Sequence, residues 1–363
     1  MAQRFQVAGR LVAVEPTGSG NVNETYRAVF RTVFSEECFI LQRLAGNVFK
    51  EPEKVIENMR FVTQFVHRQL EEEQFQSDRF WQLPRLIPAK DGKYFAVDGD
   101  GHYWRALSVI SSASSYEKIQ TPEHAYEVGA VLGQFHRIFS MIPVERLSDT
   151  LPGFHVTPNY LAQLDAALAT PEGKSRATSS PAARRALDFI NERRGIVSVL
   201  EDAHRRGELT MRVIHGDPKT ANVMIDDATG KGTSIIDLDT VKPGLVHYDL
   251  GDCLRSCCNP MGEDAADLGA VVFDTDLCEM VMEGYKAYSR GFLTDADRGY
   301  LYDAIRLITF ELGLRFYADF VAGDVYFRVR HPGQNLDRAR VQFKLCSSIE
   351  TRESQVHRVL EKL

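Results

Sequence analysis

Residues 213–225 read VIHGDPKTANVMI and, after a turn at 227–230, residues 235–239 read IIDLD. In both stretches an apolar run leads into a small set of polar side chains. Short apolar runs separated by turn residues are typical of buried strands joined in a hairpin. The sequence therefore predicts two polar clusters, each at the end of a strand, and the rest of the fold is interpreted around them.

The polar residues of the first stretch suit the transfer of a phosphoryl group. Such a transfer needs an acceptor hydroxyl held in line, a group that takes its proton, and cations over the developing charge. We expect Asp217 to orient the hydroxyl and to accept its proton as the catalytic base. Lys219 is placed to neutralise the γ-phosphate during the transfer.

The oxygen-bearing side chains of both stretches suit magnesium. This ion prefers oxygen ligands and is commonly held by one or two carboxylates together with substrate phosphates. The side-chain carbonyl of Asn222 and the carboxylate of Asp237 are the predicted ligands. Asp239 would share a face with Asp237 if the strand continued, and it would then take a second metal ion or a substrate hydroxyl.

Three neighbouring residues have simpler interpretations. His215 is expected to be a hydrogen-bonded structural residue and not the base. Asp249 and Asp252 flank a glycine, and for either of them helix capping or bracing of a loop is at least as good an interpretation as contact with substrate.

The rest of the chain predicts an α+β fold of the bilobal protein-kinase type. Residues 1–110 have strand patterns interrupted by one helical pattern at 52–73, and this part is the expected nucleotide-binding lobe. Helical patterns dominate residues 111–363, the expected catalytic and acceptor-binding lobe. Residues 111–115 are small and polar and are predicted to be a hinge, and residues 170–181 an exposed loop.

A glycine-rich turn stands between the first two predicted strands. It contains Gly18, Ser19, Gly20 and Asn21. Two glycines permit a tight turn whose backbone amides can approach phosphate oxygens. No Gly-Lys-Ser/Thr follows, so the turn is not a Walker loop.

Composition limits the classes of partner. The chain has 363 residues, a formal net charge of −7 and six cysteines. The negative charge argues against non-specific binding of nucleic acid, and no apolar run approaches the length that crosses a membrane. Six cysteines in a chain of this length do not indicate a dense disulfide framework. Cys253, Cys257 and Cys258 lie close together, as metal ligands can, but no second Cys or His pair at zinc-ligand spacing accompanies them, and we expect them to be buried free thiols. We expect a soluble cytoplasmic protein whose partners are small molecules, with no nucleic acid and no membrane, and with the oligomeric state left open.

In these motifs the chain resembles the aminoglycoside phosphotransferase and choline kinase superfamily, whose members share the protein-kinase fold. Within it, the chain is most similar to the branch of N-acetylhexosamine 1-kinase. The motifs that carry this resemblance extend over nearly the whole chain: EPTGSGNVNETY at 15–26, ILQ at 40–42, IIDLDTVKPG at 235–244, YDLGD at 248–252, RFYADFVAGDVYF at 315–327 and NLDRAR at 335–340.

The resemblance implies further roles. The turn from Gly18 to Asn21 would cover the nucleotide phosphates. The residues against which adenine would pack are Val109, Ile110 and Ser111. The residues that would hold a sugar acceptor are Asp239, Arg255, Arg315 and Tyr326.

Two departures from the kinase pattern accompany the resemblance. Protein kinases have a lysine in the third strand that pairs with the α- and β-phosphates, and Gln42 stands at that place here, as it does in the similar branch. The second departure is His-Gly-Asp at 215–217 where that branch tends to have His-Asn-Asp, which bears on the identity of the acceptor.

These observations predict an enzyme, a kinase that uses ATP and Mg2+ to phosphorylate the anomeric hydroxyl of a hexose or N-acetylhexosamine. A second hypothesis is a kinase of choline, ethanolamine, homoserine or an aminoglycoside on the same fold. A third is a non-catalytic nucleotide-binding module, which the presence of Asp217, Asn222 and Asp237 disfavours.

Overall fold

The structure, a computed structural model, describes residues 1–18, 22–72 and 79–363. Strands predominate before residue 116 and helices after it, so the predicted α+β class is confirmed. The strands are β1 (Arg10–Pro16), β2 (Glu24–Arg31), β3 (Glu36–Arg43), β4 (Leu86–Ile87), β5 (Ala96–Val97), β6 (Tyr103–Ser108), β7 (Ala113–Ser115), β8 (Arg212–Ile214), β9 (Val223–Asp226), β10 (Gly232–Ile235) and β11 (Lys242–Gly244).

The helix predicted at 52–73 is present as α1, and most of the other helices follow residue 121. The α-helices are α1 (Pro52–Glu71), α2 (Pro122–Phe139), α3 (Thr157–Ala169), α4 (Pro171–Thr178), α5 (Pro181–Glu192), α6 (Val199–Arg205), α7 (Val246–Cys257), α8 (Thr275–Ser289), α9 (Asp295–Gly299), α10 (Leu301–Ala322), α11 (Gln334–Thr351) and α12 (Glu353–Leu360).

The chain forms two compact units that are discontinuous in sequence. The first contains Met1–Ser114, Met141–Pro152 and Met224–Pro243, and the second contains Ser115–Ser140, Gly153–Val223 and Gly244–Leu363. The IIDLD stretch therefore belongs to the first unit, and the loop with Asp217 belongs to the second. The assignment of nucleotide and acceptor binding to separate lobes stays a prediction.

The first unit is built on an antiparallel sheet. Its strand order is β1-β2-β3-β6-β4, and β5 pairs with the first two residues of β6, Tyr103 and Trp104. Because side chains alternate between the faces of a strand, one face of the sheet contributes a buried cluster that includes Phe30, Leu41 and Ala106, and Phe5 packs into it. The register places Gln42 of β3 directly opposite Arg105 of β6.

Helix α1 is tied to the segment that follows the IIDLD stretch, within the same unit. The buried side chain of Asn58 donates hydrogen bonds to the carbonyl oxygens of Ser148 (2.8 Å) and Val241 (3.0 Å). Its amide oxygen accepts from the backbone N–H of Ser148 (3.0 Å). One amide side chain thus fixes both later segments of the first unit against α1.

The second unit is organised around two close helix contacts. Helices α2 and α8 approach through Gly129, Gly133 and Gly284, where an added Cβ would overlap backbone atoms of the opposite helix. Helix α10 is apolar on nearly all sides and is buried for most of its length, as expected of a central helix. It packs against α3, α7 and α11.

The prediction of an exposed loop at residues 170–181 is wrong, because α4 occupies most of it. Thr170 caps this helix by accepting a hydrogen bond from the backbone N–H of Gly173, and Pro171 fills its first turn. Capping and packing of Gly173 and Ala177 outweigh the small polar composition from which the loop was inferred. The predicted hinge at 111–115 contains the short strand β7, and Ser112 before it has a positive φ of 58°.

Cys253, Cys257 and Cys258 are buried free thiols, as predicted, and Cys38, Cys278 and Cys346 are also free. Among the described residues no helix combines the length and the apolar character that crossing a membrane requires.

Candidate functional site

The loop that follows β8 brings together three of the predicted residues. The ammonium of Lys219 donates to Oδ2 of Asp217 (2.6 Å). The amide nitrogen of Asn222 donates to the backbone oxygen of Asp217 (2.7 Å) and to its Oδ2 (3.2 Å). Gly216 provides the turn into this arrangement with a φ of 86°. The Asp217 carboxylate is therefore held between a cation and an amide, and it is partly exposed.

Asp249 of α7 braces the start of this loop. Its carboxylate accepts hydrogen bonds from the backbone N–H groups of His215 and Gly216, both at 2.7 Å, and it lies 2.9 Å from Nε2 of His136. Burial raises the pKa of Asp249, but these hydrogen bonds and the charge of His136 outweigh burial and lower it. Of the two interpretations of Asp249, the structure favours loop bracing.

His215 is fully buried, and its Nδ1 accepts a hydrogen bond from the backbone N–H of Asp217 (3.2 Å). This geometry fits the structural role that was predicted for it.

A buried histidine and glutamate support the same loop from the other side. Nδ1 of His155 lies 3.0 Å from Oε1 of Glu311, and its Nε2 lies 2.8 Å from the carbonyl oxygen of Gly216. A carboxylate and a carbonyl oxygen both accept hydrogen bonds, so this geometry favours the ring with a proton on each nitrogen. Burial lowers the pKa of His155, but the charge and the hydrogen bond of Glu311, with a smaller contribution from Asp252, together outweigh burial and raise it. The second oxygen of Glu311 accepts from the hydroxyl of Thr157 (2.7 Å).

Arg315 lies one helical turn after Glu311 on α10 and is surrounded by aromatic rings. Its guanidinium carbon lies 5.0 Å from the ring centres of Phe154 and Tyr160 and 5.5 Å from that of Phe327. Burial lowers its pKa, but nearby Tyr160 and Glu311 raise it above the ordinary value. None of the described residues accepts a hydrogen bond from this guanidinium or pairs with it.

Arg255 has a different environment. It is buried on α7, where Nε donates to Asp252 and Nη1 donates to Glu263, both at 2.8 Å. Burial lowers its pKa, but the carboxylates of Asp252 and Glu263, with a smaller contribution from Asp217, raise it. Oδ2 of Asp252 is buried without a hydrogen-bond partner in the described part of the chain.

Tyr326 lies in the loop after α10, and its side chain is 46% exposed. Asp319, near the end of α10, organises this loop: its carboxylate accepts from the backbone N–H groups of Val325, Tyr326 and Phe327 at 2.8–2.9 Å. The amide of Asn335 donates to the same carboxylate. The structure thus holds the backbone of Tyr326 and leaves its ring at the surface of the second unit.

In the first unit, the middle residue of the IIDLD stretch has a backbone conformation that few residues adopt. Asp237 has a φ of 63° and a ψ of 55°, and its side chain is exposed. A left-handed non-glycine residue is uncommon, aspartate and asparagine being the types that tolerate it best. Such strain concentrates at sites where a side chain must be presented in a fixed direction.

Asp239 is buried in a polar cluster of the same unit. Its Oδ1 pairs with the guanidinium of Arg105, and its Oδ2 accepts from the amide of Asn23. Nε and Nη2 of Arg105 donate to Oε1 of Gln42 at 3.0 and 2.7 Å. Two predicted residues, Gln42 and Asp239, are therefore joined through an arginine that sequence reasoning did not select.

The remaining predicted nucleotide contacts are placed as follows. Gly18 has a φ of 80° and is exposed, whereas Ser19, Gly20 and Asn21 lie outside the described residues. Val109, Ile110 and Ser111 follow directly after β6, and Val109 is 38% exposed. No contact in the described residues distinguishes these three from an ordinary connection.

The predicted metal ligands offer suitable atoms. The amide nitrogen of Asn222 is committed to Asp217, which leaves its Oδ1 without a hydrogen-bond donor among the described residues. Asp237, in the first unit, offers a carboxylate, so each of the two residues by itself offers an oxygen of the kind that magnesium prefers. A separate group of Asp98, Asp100 and His102 has metal-ligand spacing. It is a turn in which Asp98 accepts hydrogen bonds from two backbone N–H groups and from Trp104, and this accounts for it without an ion.

A comparison with protein families matches residues 66–300 to the phosphotransferase enzyme family. The chain belongs to this family. The matched part contains both polar stretches from which the chemistry was inferred, so this chain is a phosphotransferase by family.

Solved structures similar to this phosphotransferase cover nearly its whole length. One is a microcompartment-associated aminopropanol kinase (16% identity, TM-score 0.59, 98% of this chain and 96% of that one). Another is an ethanolamine kinase of Plasmodium vivax (11%, 0.56, 94% and 84%). A third is a spectinomycin phosphotransferase in complex with ADP and spectinomycin (12%, 0.55, 94% and 93%). At these identities the likeness shows the fold alone.

Proposed function

We propose that this phosphotransferase uses ATP and magnesium to phosphorylate the anomeric hydroxyl of a hexose or N-acetylhexosamine. The family supplies the reaction class. The acceptor is inferred from the motif at 315–327, which is similar to N-acetylhexosamine 1-kinase, and from the environment of its first residue, Arg315.

The observation that carries the proposal is the guanidinium of Arg315, which has no ion-pair or hydrogen-bond partner among the described residues and lies in the unit that holds Asp217. Phe154 supports this guanidinium, and the rings of Phe154 and His155 lie 4.0 Å apart. His155 in turn contacts the carbonyl oxygen of Gly216, the residue before Asp217. A fixed cation so close to the loop repels an acceptor that carries an ammonium group, whereas it can donate hydrogen bonds to the hydroxyl or acetamido oxygen of a neutral sugar.

The loop residues have separate tasks in this proposal. Asp217 holds the acceptor hydroxyl and accepts its proton, and because an anomeric hydroxyl is more acidic than an ordinary alcohol, a weak base suffices. Lys219 lies beside this carboxylate and stabilises the negative charge of the phosphoryl group being transferred. Magnesium held by Asn222 and Asp237, with Asp239 as a further candidate, would neutralise charge on the nucleotide phosphates.

The test is a panel of acceptors with ATP and Mg2+, in which ADP release is coupled to an optical signal. We expect turnover with a hexose or N-acetylhexosamine and none with its 1,5-anhydro analogue, which has no anomeric hydroxyl. The Asp217→Asn variant is the matched control. Turnover of choline, ethanolamine, aminopropanol, homoserine or an aminoglycoside, together with no turnover of any reducing sugar, would contradict the proposal.

A cationic acceptor is the second candidate, and one observation favours it. Oδ2 of Asp252 is a buried carboxylate oxygen without a described hydrogen-bond partner, and it belongs to the same unit as Asp217. A carboxylate attracts an ammonium group. Arg255 already pairs with the other oxygen of Asp252 and reduces this attraction. We therefore place a neutral sugar first.

A further inference from the structure

Arg105 is the largest of the fully buried side chains, and its contacts lie within the first unit. It stands directly opposite Gln42 in the pairing of β3 with β6. By the resemblance described under Sequence analysis, Gln42 stands where kinases of this fold have a lysine for the α- and β-phosphates. The cation that β3 does not provide is therefore present one strand away, at the same level of the sheet.

The contacts of Gln42 make it an orienting residue for this arginine. Its Oε1 accepts from both Nε and Nη2 of Arg105, and its Nε2 donates to the hydroxyl of Thr25 (3.1 Å). The amide has no charge and uses both of its polar atoms within the protein. Its contribution is to fix the plane and the direction of the guanidinium.

The guanidinium has N–H groups that are not satisfied within this network. Arginine has five N–H donors. Nε and Nη2 of Arg105 donate to Gln42, and Nη1 forms an ion pair with Asp239 but makes no hydrogen bond to any described residue. Buried donors without acceptors are costly, and a planar guanidinium with free N–H groups suits the oxygens of a phosphate.

Further contacts place the guanidinium beside the start of β2. Asn23 donates to Oδ2 of Asp239, and its own Oδ1 accepts from the backbone N–H of Ala45 (3.0 Å). Thr25, the partner of Gln42, is the second residue of β2. These contacts join the beginning of β2, the end of β3, β6 and Asp239 in one buried network.

We propose that Arg105, oriented by Gln42, binds the phosphates of the nucleoside di- or triphosphate, so that the phosphate-binding cation of this chain is on β6 and not on β3. The proposal rests on the proposed function for the identity of the ligand. Asp239 then acts as the carboxylate that holds the cation in place.

The experiment measures equilibrium binding of ADP and of adenosine by calorimetry, without an acceptor. For Arg105→Gln we expect a dissociation constant for ADP about 10- to 100-fold higher, the loss typical of a hydrogen bond to a charged group. Adenosine, which has no phosphate, should bind as it does to the wild type. Arg43→Gln is the matched control, because Arg43 is the neighbouring arginine on β3 and pairs with Glu24; its affinity for ADP should be unchanged.

A second pair of variants keeps the test decisive if Arg105→Gln folds poorly. Gln42→Met removes the orienting oxygen and retains the arginine, and it should weaken ADP binding and leave adenosine binding unchanged. The double variant Gln42→Lys with Arg105→Gln returns a cation to β3 and should regain part of the lost affinity for ADP.

Two results would overturn the inference. One is an affinity for ADP in Arg105→Gln and in Gln42→Met equal to that of the wild type. The other is an equal loss for ADP and adenosine, which would indicate that the network only supports the fold. If instead the wild type does not bind ADP, the proposed function fails; if it phosphorylates a sugar while both variants bind ADP normally, only the role of Arg105 fails.

Discussion

His155 and Glu311 form a buried ion pair, and through its other ring nitrogen His155 contacts the carbonyl oxygen of Gly216. The pair therefore connects α10 to the residue before Asp217. Two further charges, those of Asp252 and Arg315, influence the imidazole, and the ring centres of Phe154 and Tyr248 lie 4.0 and 5.4 Å from its own. The carboxylates of Glu311 and Asp252 stabilise the positive charge of the ring, and the guanidinium of Arg315 opposes it. The net effect favours the protonated ring.

The ion pair predicts how stability depends on pH. The pKa of His155 is raised above 6.5 in the folded chain, so the folded state holds this proton more tightly than the unfolded state does. Its contribution is fully present below about pH 6.5 and is lost as the pH rises through the folded pKa. We expect His155→Asn to reduce the free energy of unfolding by about 3 kcal/mol at low pH. Denaturant titrations should show this difference shrinking as the pH is raised.

Asparagine is the substitution of choice because His155 has a φ of 64°, which asparagine tolerates. His124 is the control. Burial lowers its pKa, so its contribution should be lost as the pH falls, the opposite direction. A difference between wild type and His155→Asn that does not change with pH would contradict the charged pair.

Asp217→Asn should reduce kcat by about 100- to 10,000-fold, the usual contribution of a general base. Asparagine keeps the size of the side chain and its contact with Asn222, so the affinity for ADP should stay within a few-fold. Steady-state kinetics and calorimetry measure the two quantities. An unchanged kcat would remove Asp217 from the base role and would favour a non-catalytic nucleotide-binding module.

Arg315→Met should raise the KM for a sugar acceptor by about 10- to 100-fold, since a charged hydrogen bond is lost, and should leave the KM for ATP unchanged. Arg193→Met is the control: Arg193 also lies over an aromatic ring, that of Phe189, but it pairs with Glu350. This control should change stability and not the acceptor KM. Improved turnover of a cationic acceptor by Arg315→Met, without loss for sugars, would support the second candidate.

The contact of α2 with α8 predicts a stability effect remote from the chemistry. A Cβ on Gly129 would overlap the carbonyl oxygen of Val281, and backbone atoms move only at a cost. Gly129→Ala should lower the free energy of unfolding by about 1–3 kcal/mol. Gly299→Ala is the control, because a Cβ added there would meet no described atom within 4 Å, and alanine favours a helix. Equal melting temperatures for the two variants would contradict the close approach.

The sequence was sufficient to predict the cluster of Asp217, Lys219 and Asn222, because these residues are local to one loop. It was not sufficient for Arg105 or His155. Arg105 becomes informative only when the register of β3 and β6 places it opposite Gln42. His155 lies 61 positions from Gly216 and 156 from Glu311, so no local pattern connects them. Contacts that depend on strand register or on helix packing are set by the whole fold, and they cannot be inferred from local patterns in one sequence.

The backbone at Asp237 leads to the last prediction. Asparagine tolerates its left-handed conformation, so Asp237→Asn should fold as the wild type does and lose only the charge. If Asp237 is a magnesium ligand, the Mg2+ concentration for half-maximal activity should rise at least about 10-fold, and the Mg2+-dependent part of ADP binding should weaken in parallel. Asp227→Asn, in the turn of the same hairpin, is the matched control and should leave both quantities unchanged. If the two variants have the same Mg2+ dependence, the metal ligand on this stretch is another residue, and Asp239 is the next to be tested.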